Sequence, residues 1–141
     1  MDITYKSEAH RAILTMWGAL RGRFTNMAKN LTEEQLDLKL YDTTIRSLLI
    51  HTAEAEYMFA EWYLSKEQPS TLPSSNTHEE IIKLLELSNT HVITAINELK
   101  EDELYTMVET KMGTSTPAEA VGRLMYHAGI HVGQIAFIKK Q

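Results

Sequence analysis

Apolar residues recur along this chain at intervals of three and four, the period of a helix face rather than of a strand. Ile13, Trp17, Leu20, Phe24, Met27 and Leu31 form one seam and predict a helix from about Lys6 to Lys29. Ile45, Leu49, Thr52, Glu56, Phe59 and Tyr63 repeat the spacing in a second helix, widened by Leu48, Ala55, Met58 and Trp62. Ile81, Leu85, Ser88, Val92, Ala95 and Leu99 mark a third, and Val121, Met125, Ala128, Val132, Ile135 and Ala136 a fourth.

The ends agree with this segmentation. Thr116, Pro117 and Glu119 supply a cap, a first-turn proline and an acid at the third position, while Thr77 with Glu80 forms a capping box. Thr32 with Gln35 predicts a short extra turn between the first two helices. Glu67 to Asn76, with Pro69 and Pro73, reads as a loop. No domain break, internal repeat or low-complexity tract is evident, so residues 1–141 read as one all-α domain, a four-helix bundle. Connections that can exceed ten residues leave open which helices run parallel.

A net charge of -5 with scattered basic residues argues against a nucleic-acid partner. Apolar runs of a few residues fall far short of the about 20 needed to span a bilayer, and no charged-then-apolar leader opens the chain. A soluble cytoplasmic protein is expected, with no membrane partner. The chain has no cysteine, so any thiol chemistry needs a thiol brought in by a substrate.

Histidines carry the candidate chemistry. His127 and His131 stand four apart and project from one helix face, close enough to share an ion; His51 lies in the second helix. All three sit where an apolar stripe meets a polar flank, and two such helices packed together would converge their imidazoles over one pocket. Three neutral imidazoles suit zinc, nickel, copper or iron and leave coordination positions free. The plainer reading is side chains at the edge of a packed face. His10 and His78, near helix starts, are expected to be exposed. His91 suits a core edge or a fourth ligand.

Glu56 occupies a seam position, where a carboxylate must meet a cation or keep water; a buried pair is favoured over a general base. Glu54 points nearer solvent and could orient a ligand. Gly122, Gly129 and Gly133 lie along one strip of the last helix, which suggests close approach by another backbone, either the first helix or a second subunit. With Trp62 and Tyr63 they motivate a homodimer. Gln134, on the histidine side, has an amide able to donate to a ligand or substrate.

The segments Ser47 to Phe59, SLLIHTAEAEYMF, and Leu124 to Lys139, LMYHAGIHVGQIAFIK, resemble the DinB-like (YfiT/DinB) superfamily of bacterial four-helix proteins. Its members carry one histidine on the second helix and an HxxxH pair followed by Gly-Gln on the last. The resemblance implies a bundle of that type in which His51, His127 and His131 bind a divalent metal ion, zinc or nickel, with water completing the shell. Known family activities include transfer of low-molecular-weight thiols such as bacillithiol and a mycothiol-dependent isomerisation. The implied function is therefore a metal-dependent thiol S-transferase or a related hydrolase acting on a small molecule; the alternative is a non-catalytic, stress-associated metal-binding protein. Val132 departs from the polar or basic residue that relatives often carry there.

Overall fold

A computed structural model describes residues 4–141. It is mostly helical, with α1 (Glu8–Lys29), α2 (Ile45–Tyr63), α3 (His78–Glu98) and α4 (Pro117–Lys139). Each helix begins at a capped residue: the hydroxyls of Ser7, Thr44, Thr77 and Thr116 accept backbone N–H groups of the first turn that would otherwise be orphaned. The box at Thr44 is closed by Ser47, not by the Glu or Gln that a sequence scan looks for. The expected turn at Thr32 is a 3-10 helix, Glu34–Asp37.

Side-chain contacts between helix ends fix the directions. The His10 ring N–H donates to Leu99 O at 2.8 Å, and that of His78 to Ala28 O at 2.8 Å, so α1 and α3 are antiparallel. Lys66, just beyond α2, pairs with Glu98 at 2.8 Å, which puts the C-termini of α2 and α3 together. The Tyr63 hydroxyl donates to Gly113 O at 3.1 Å, so the end of α2 meets the approach to α4. The bundle therefore runs up, down, down, up. Around its square α1 packs on α3 and α4, and α2 on α3 and α4. Parallel α2 and α3 need a connection that returns the full length of the bundle, and residues 64–77 supply it with the predicted proline-bearing loop.

The chain is internally repeated, contrary to the sequence reading. A helix, a 3-10 turn, a two-stranded hairpin and a second helix occur twice in the same order. The hairpins, β1 (Lys39–Leu40) with β2 (Thr43–Thr44) and β3 (Val108–Thr110) with β4 (Gly113–Ser115), are both antiparallel. At one constant offset His10 matches His78, Ile13 matches Ile81, Leu31 matches Leu99, Leu36 matches Leu104 and Leu40 matches Val108. Even the caps correspond: Gln35 accepts from the N–H of Thr32 at 2.9 Å, and Glu103 from that of Lys100 at 2.7 Å. Four of these five matches are identities, but they are scattered among positions that differ, so they do not mark the period by themselves.

The core has two apolar clusters, one around Phe24, Leu49 and Leu85, the other around Trp17, Tyr63 and Ile96. A polar layer separates them. Arg21 from α1 grips Glu56 from α2 through two bonds of 2.7 and 3.1 Å, Ser88 from α3 donates to the same carboxylate at 2.6 Å, and Arg21 also donates to Leu85 O at 2.7 Å. Arg21 and Glu56 are each 1% exposed. The expected pairing of Glu56 is thus present, with every oxygen satisfied. Leu20 is exposed and Met27 half-buried, so the buried face of α1 is rotated towards Arg21 relative to the seam read from sequence.

Candidate metal centre

His51 lies two turns into α2, His127 lies at the middle of α4 and His131 one turn further on. Because α2 and α4 are antiparallel neighbours, the three imidazoles meet in the groove between them. Ring centroids are 4.9 Å apart for His51 and His127, 5.5 Å for His51 and His131, and 4.3 Å for His127 and His131, all edge-on. One ligating nitrogen from each lies within 4.8 Å of the other two. Zinc–imidazole bonds of about 2.1 Å require nitrogens roughly 3–3.5 Å apart, so His127 and His131, with Nε2 atoms 3.0 Å apart, already fit one ion, and a small rotation of exposed His51 completes the set. The three residues can hold a metal ion. Burial is graded, from exposed His51 through half-buried His127 to His131 at 8% exposure, which leaves one side of the cluster open to solvent.

The protonation chemistry suits a cation. Burial is the main cause that pushes the His127 pKa down to about 4, with the neighbouring charges of His131 and His51 adding to it. Burial lowers that of His131 as well, opposed by its bond to Gln134 and assisted by His51. Both rings are therefore neutral at pH 7, with lone pairs to give. Gln134 Oε1 accepts the His131 Nδ1 proton at 2.6 Å, which commits Nε2, the atom facing His127, to the lone-pair role. The amide of Gln134 was expected to donate to a ligand; its oxygen instead orients one.

A linkage consequence is testable without metal. Unfolded His127 titrates near 6.5 and the folded ring near 4, so between those values the unfolded chain binds the extra proton and stability rises with pH. The metal-free protein is expected to lose stability as pH falls from about 6.5 towards 4, and His127→Ala to flatten that dependence. Urea titrations across this window check it; a slope unaltered in the variant would sink the assignment.

The remaining sequence candidates stand elsewhere. His10 is fully buried rather than exposed, its Nδ1 2.7 Å from Ser7 Oγ and its Nε2 on Leu99 O. His78 is half-buried on Ala28 O. Both correct the expectation of exposure, and the cause is the same: each imidazole caps the last carbonyls of the antiparallel helix. His91 packs edge-on against Tyr57 at 4.8 Å and takes no part in the cluster; its Nε2 is buried without a partner. Glu54 is exposed and Glu56 is tied to Arg21. No atom stands within 4 Å of a Cβ built on Gly122, Gly129 or Gly133, so the close approach by α1 does not occur. Tyr63 is buried inside its own subunit.

Beside the centre lies a cleft of about 400 Å³ that sequence reasoning missed. Gln134 contributes to its wall, with Leu40, Phe137 and Ile138 as apolar lining and Tyr41 at the rim. The cleft exists because the β1–β2 hairpin folds over the end of α4, and Tyr41, at its tip, holds the left-handed φ of 55.

A family model described as a protein of unknown function, DUF1572, matches residues 71–141. The chain belongs to this family. The DUF1572 match contains His127, His131 and Gln134 and stops short of His51, so the histidine contributed by α2 rests on the geometry alone. No curated protein matches the chain. Among the described residues, no helix is long and apolar enough to cross a membrane.

Proposed function

We propose that this protein is a DinB-like metalloenzyme in which His51, His127 and His131 hold one divalent cation, zinc or nickel, and which transfers a low-molecular-weight thiol to an electrophilic small molecule. The observation that carries the reading is the convergence of three imidazoles from two helices beside an open, largely apolar cleft. A closed four-ligand set would favour a structural role; three nitrogens with one open side favour chemistry. When bound, the cation lowers the pKa of a thiol or water beside it.

The chain's own residues do the rest. Gln134 fixes the His131 tautomer, burial keeps His127 and His131 neutral, and the cleft under the hairpin offers apolar walls to an electrophile. Transfer forms a carbon–sulfur bond while the leaving group departs with its electron pair, and the thiol proton passes to solvent. Because the chain has no cysteine, the sulfur is the cosubstrate's. Hydrolysis is the weaker variant, since Glu56, the carboxylate that could serve as base, is committed to Arg21. Metal analysis of native protein, followed by a screen of bacterial thiols against haloalkane and epoxide electrophiles with and without chelator, tests the reading; chelator-insensitive or absent turnover across the screen would overturn it.

The same reading includes a homodimer. Gly122 and Gly129 face open space and alternate with exposed Tyr126 and Ile130, a strip without charge on the outer side of α4. A second copy would bury it. Light scattering is expected to return twice 16.1 kDa, and Tyr126→Glu with Ile130→Glu to return the monomer. A parent mass of 16.1 kDa at high concentration would remove the idea.

A further inference from the structure

No charged side chain lines the cleft of about 400 Å³ beside the centre. The part of a ligand buried there is accordingly neutral, since a buried charge without a partner is costly. Two aromatic side chains belong to its wall, and both are left largely bare: Tyr41 is 88% exposed and Phe137 56%. Rings exposed on the wall of a concave site are surface on which another flat group can stack. Tyr41 carries a second mark. It holds a left-handed φ of 55, which bulky residues rarely adopt and glycine takes freely, and the second hairpin puts its own positive φ on Gly113. At that exposure the Tyr41 ring packs on little else, so nothing in the folded chain offsets the strain. Gln134 joins the cleft to the histidines, because it contributes to the wall while its Oε1 accepts from His131 Nδ1 at 2.6 Å.

We propose that this cleft is the specificity pocket of the centre and takes a neutral aromatic ring laid against Tyr41 and Phe137. This rests on the metal-centre reading above and names the electrophile of that reading as an arylalkyl compound. Along the axis of α4, Gln134 stands about 4.5 Å beyond His131 and Phe137 about 9 Å. A ring between those heights is separated from a reacting carbon at the histidines by a chain of roughly three to five bonds. The volume admits one ring or two fused rings and not a long lipid. An acid at the ring end is disfavoured, because the wall offers it no cation.

The test titrates the full-length protein as isolated, its zinc content measured, with 3-phenylpropan-1-ol and with 3-cyclohexylpropan-1-ol, following the methyl NMR signals of Leu40 and Ile138. The phenyl compound is expected to bind roughly fivefold tighter although the cyclohexyl one is more apolar, because only a flat ring stacks. Tyr41→Gly and Phe137→Ala are each expected to erase most of that preference. Tyr41→Gly should do so without lowering the melting temperature, since glycine relieves the left-handed φ, which separates a lost contact from a lost fold. Zinc-loaded protein then measures the distance: in a series of ω-phenylalkanethiols the affinity is expected to peak at a chain of about three to five carbons, and the peak to vanish in Tyr41→Gly. Equal affinity for the two alcohols, binding of neither because a second copy covers the rings, or a preference that survives in both variants overturns the proposal and leaves the metal centre standing. A thiol series without a peak overturns it as well, by separating the cleft from the histidines. A parent that prefers the phenyl compound and takes up no zinc overturns the metal-centre reading instead.

Discussion

His51→Ala is expected to weaken zinc binding at least roughly a hundredfold, as severely as His127→Ala or His131→Ala, although His51 lies far from both in sequence. The expectation follows from antiparallel packing of α2 on α4, which brings its ring within 4.9 Å of His127 and 5.5 Å of His131. Two imidazoles four residues apart are a common surface clamp; the third supplies both a bond and the geometry. His78→Ala should leave affinity unchanged, because that ring is spent on Ala28 O. Since metal binds the folded state, zinc at about a hundred times its Kd should stabilise the parent by roughly 2.7 kcal/mol, and chelation should remove that gain from the parent but not from the triple alanine variant. Competition titration with a chromophoric chelator measures the affinities. Retention of parental affinity by His51→Ala would reduce the centre to a clamp made by α4 alone.

Why spacing alone showed the pair on α4, while His51 could be joined to it only through the stripe-edge pattern and the family resemblance, follows from what each requires. A helix and its period place His127 beside His131, and the period is written in Val121, Leu124 and Ala128. Placing His51 against them needs the neighbour relation of α2 and α4, which depends on a loop, residues 64–77, that sends α3 back parallel to α2; no local signal encodes it. The capping residues Thr77 and Thr116 gave the helix starts for the same local reason, while Thr44 was hidden because Ser47 closes its box.

Tertiary contacts also reversed the roles of His10 and His78. Near a helix start a polar residue defaults to solvent, but here an antiparallel partner ends against each one and offers carbonyls of its last turn. The repeat relating them is faint in the sequence because its identities are few and widely spaced.

Arg21→Ala is expected to destabilise the protein by about 3–5 kcal/mol, because it strips the cation from a carboxylate that is 1% exposed and leaves the charge with Ser88 as its remaining donor. For a chain of this size that corresponds to a fall in melting temperature of roughly 10–20 °C. Glu56→Gln keeps the shape and one acceptor, so its loss should be smaller, about 1–3 kcal/mol, and zinc content should not change, since Glu56 belongs to the core layer and not to the histidine cluster. The pair Arg21→Met with Glu56→Leu removes both charges and joins the two apolar clusters that the layer now separates; it should recover most of the stability lost in Arg21→Ala. Urea melts of the three variants, with metal analysis of each folded protein, decide the matter. A cost below about 1 kcal/mol for Arg21→Ala would mean that water reaches Glu56, and loss of zinc in Glu56→Gln would make that carboxylate part of the centre after all.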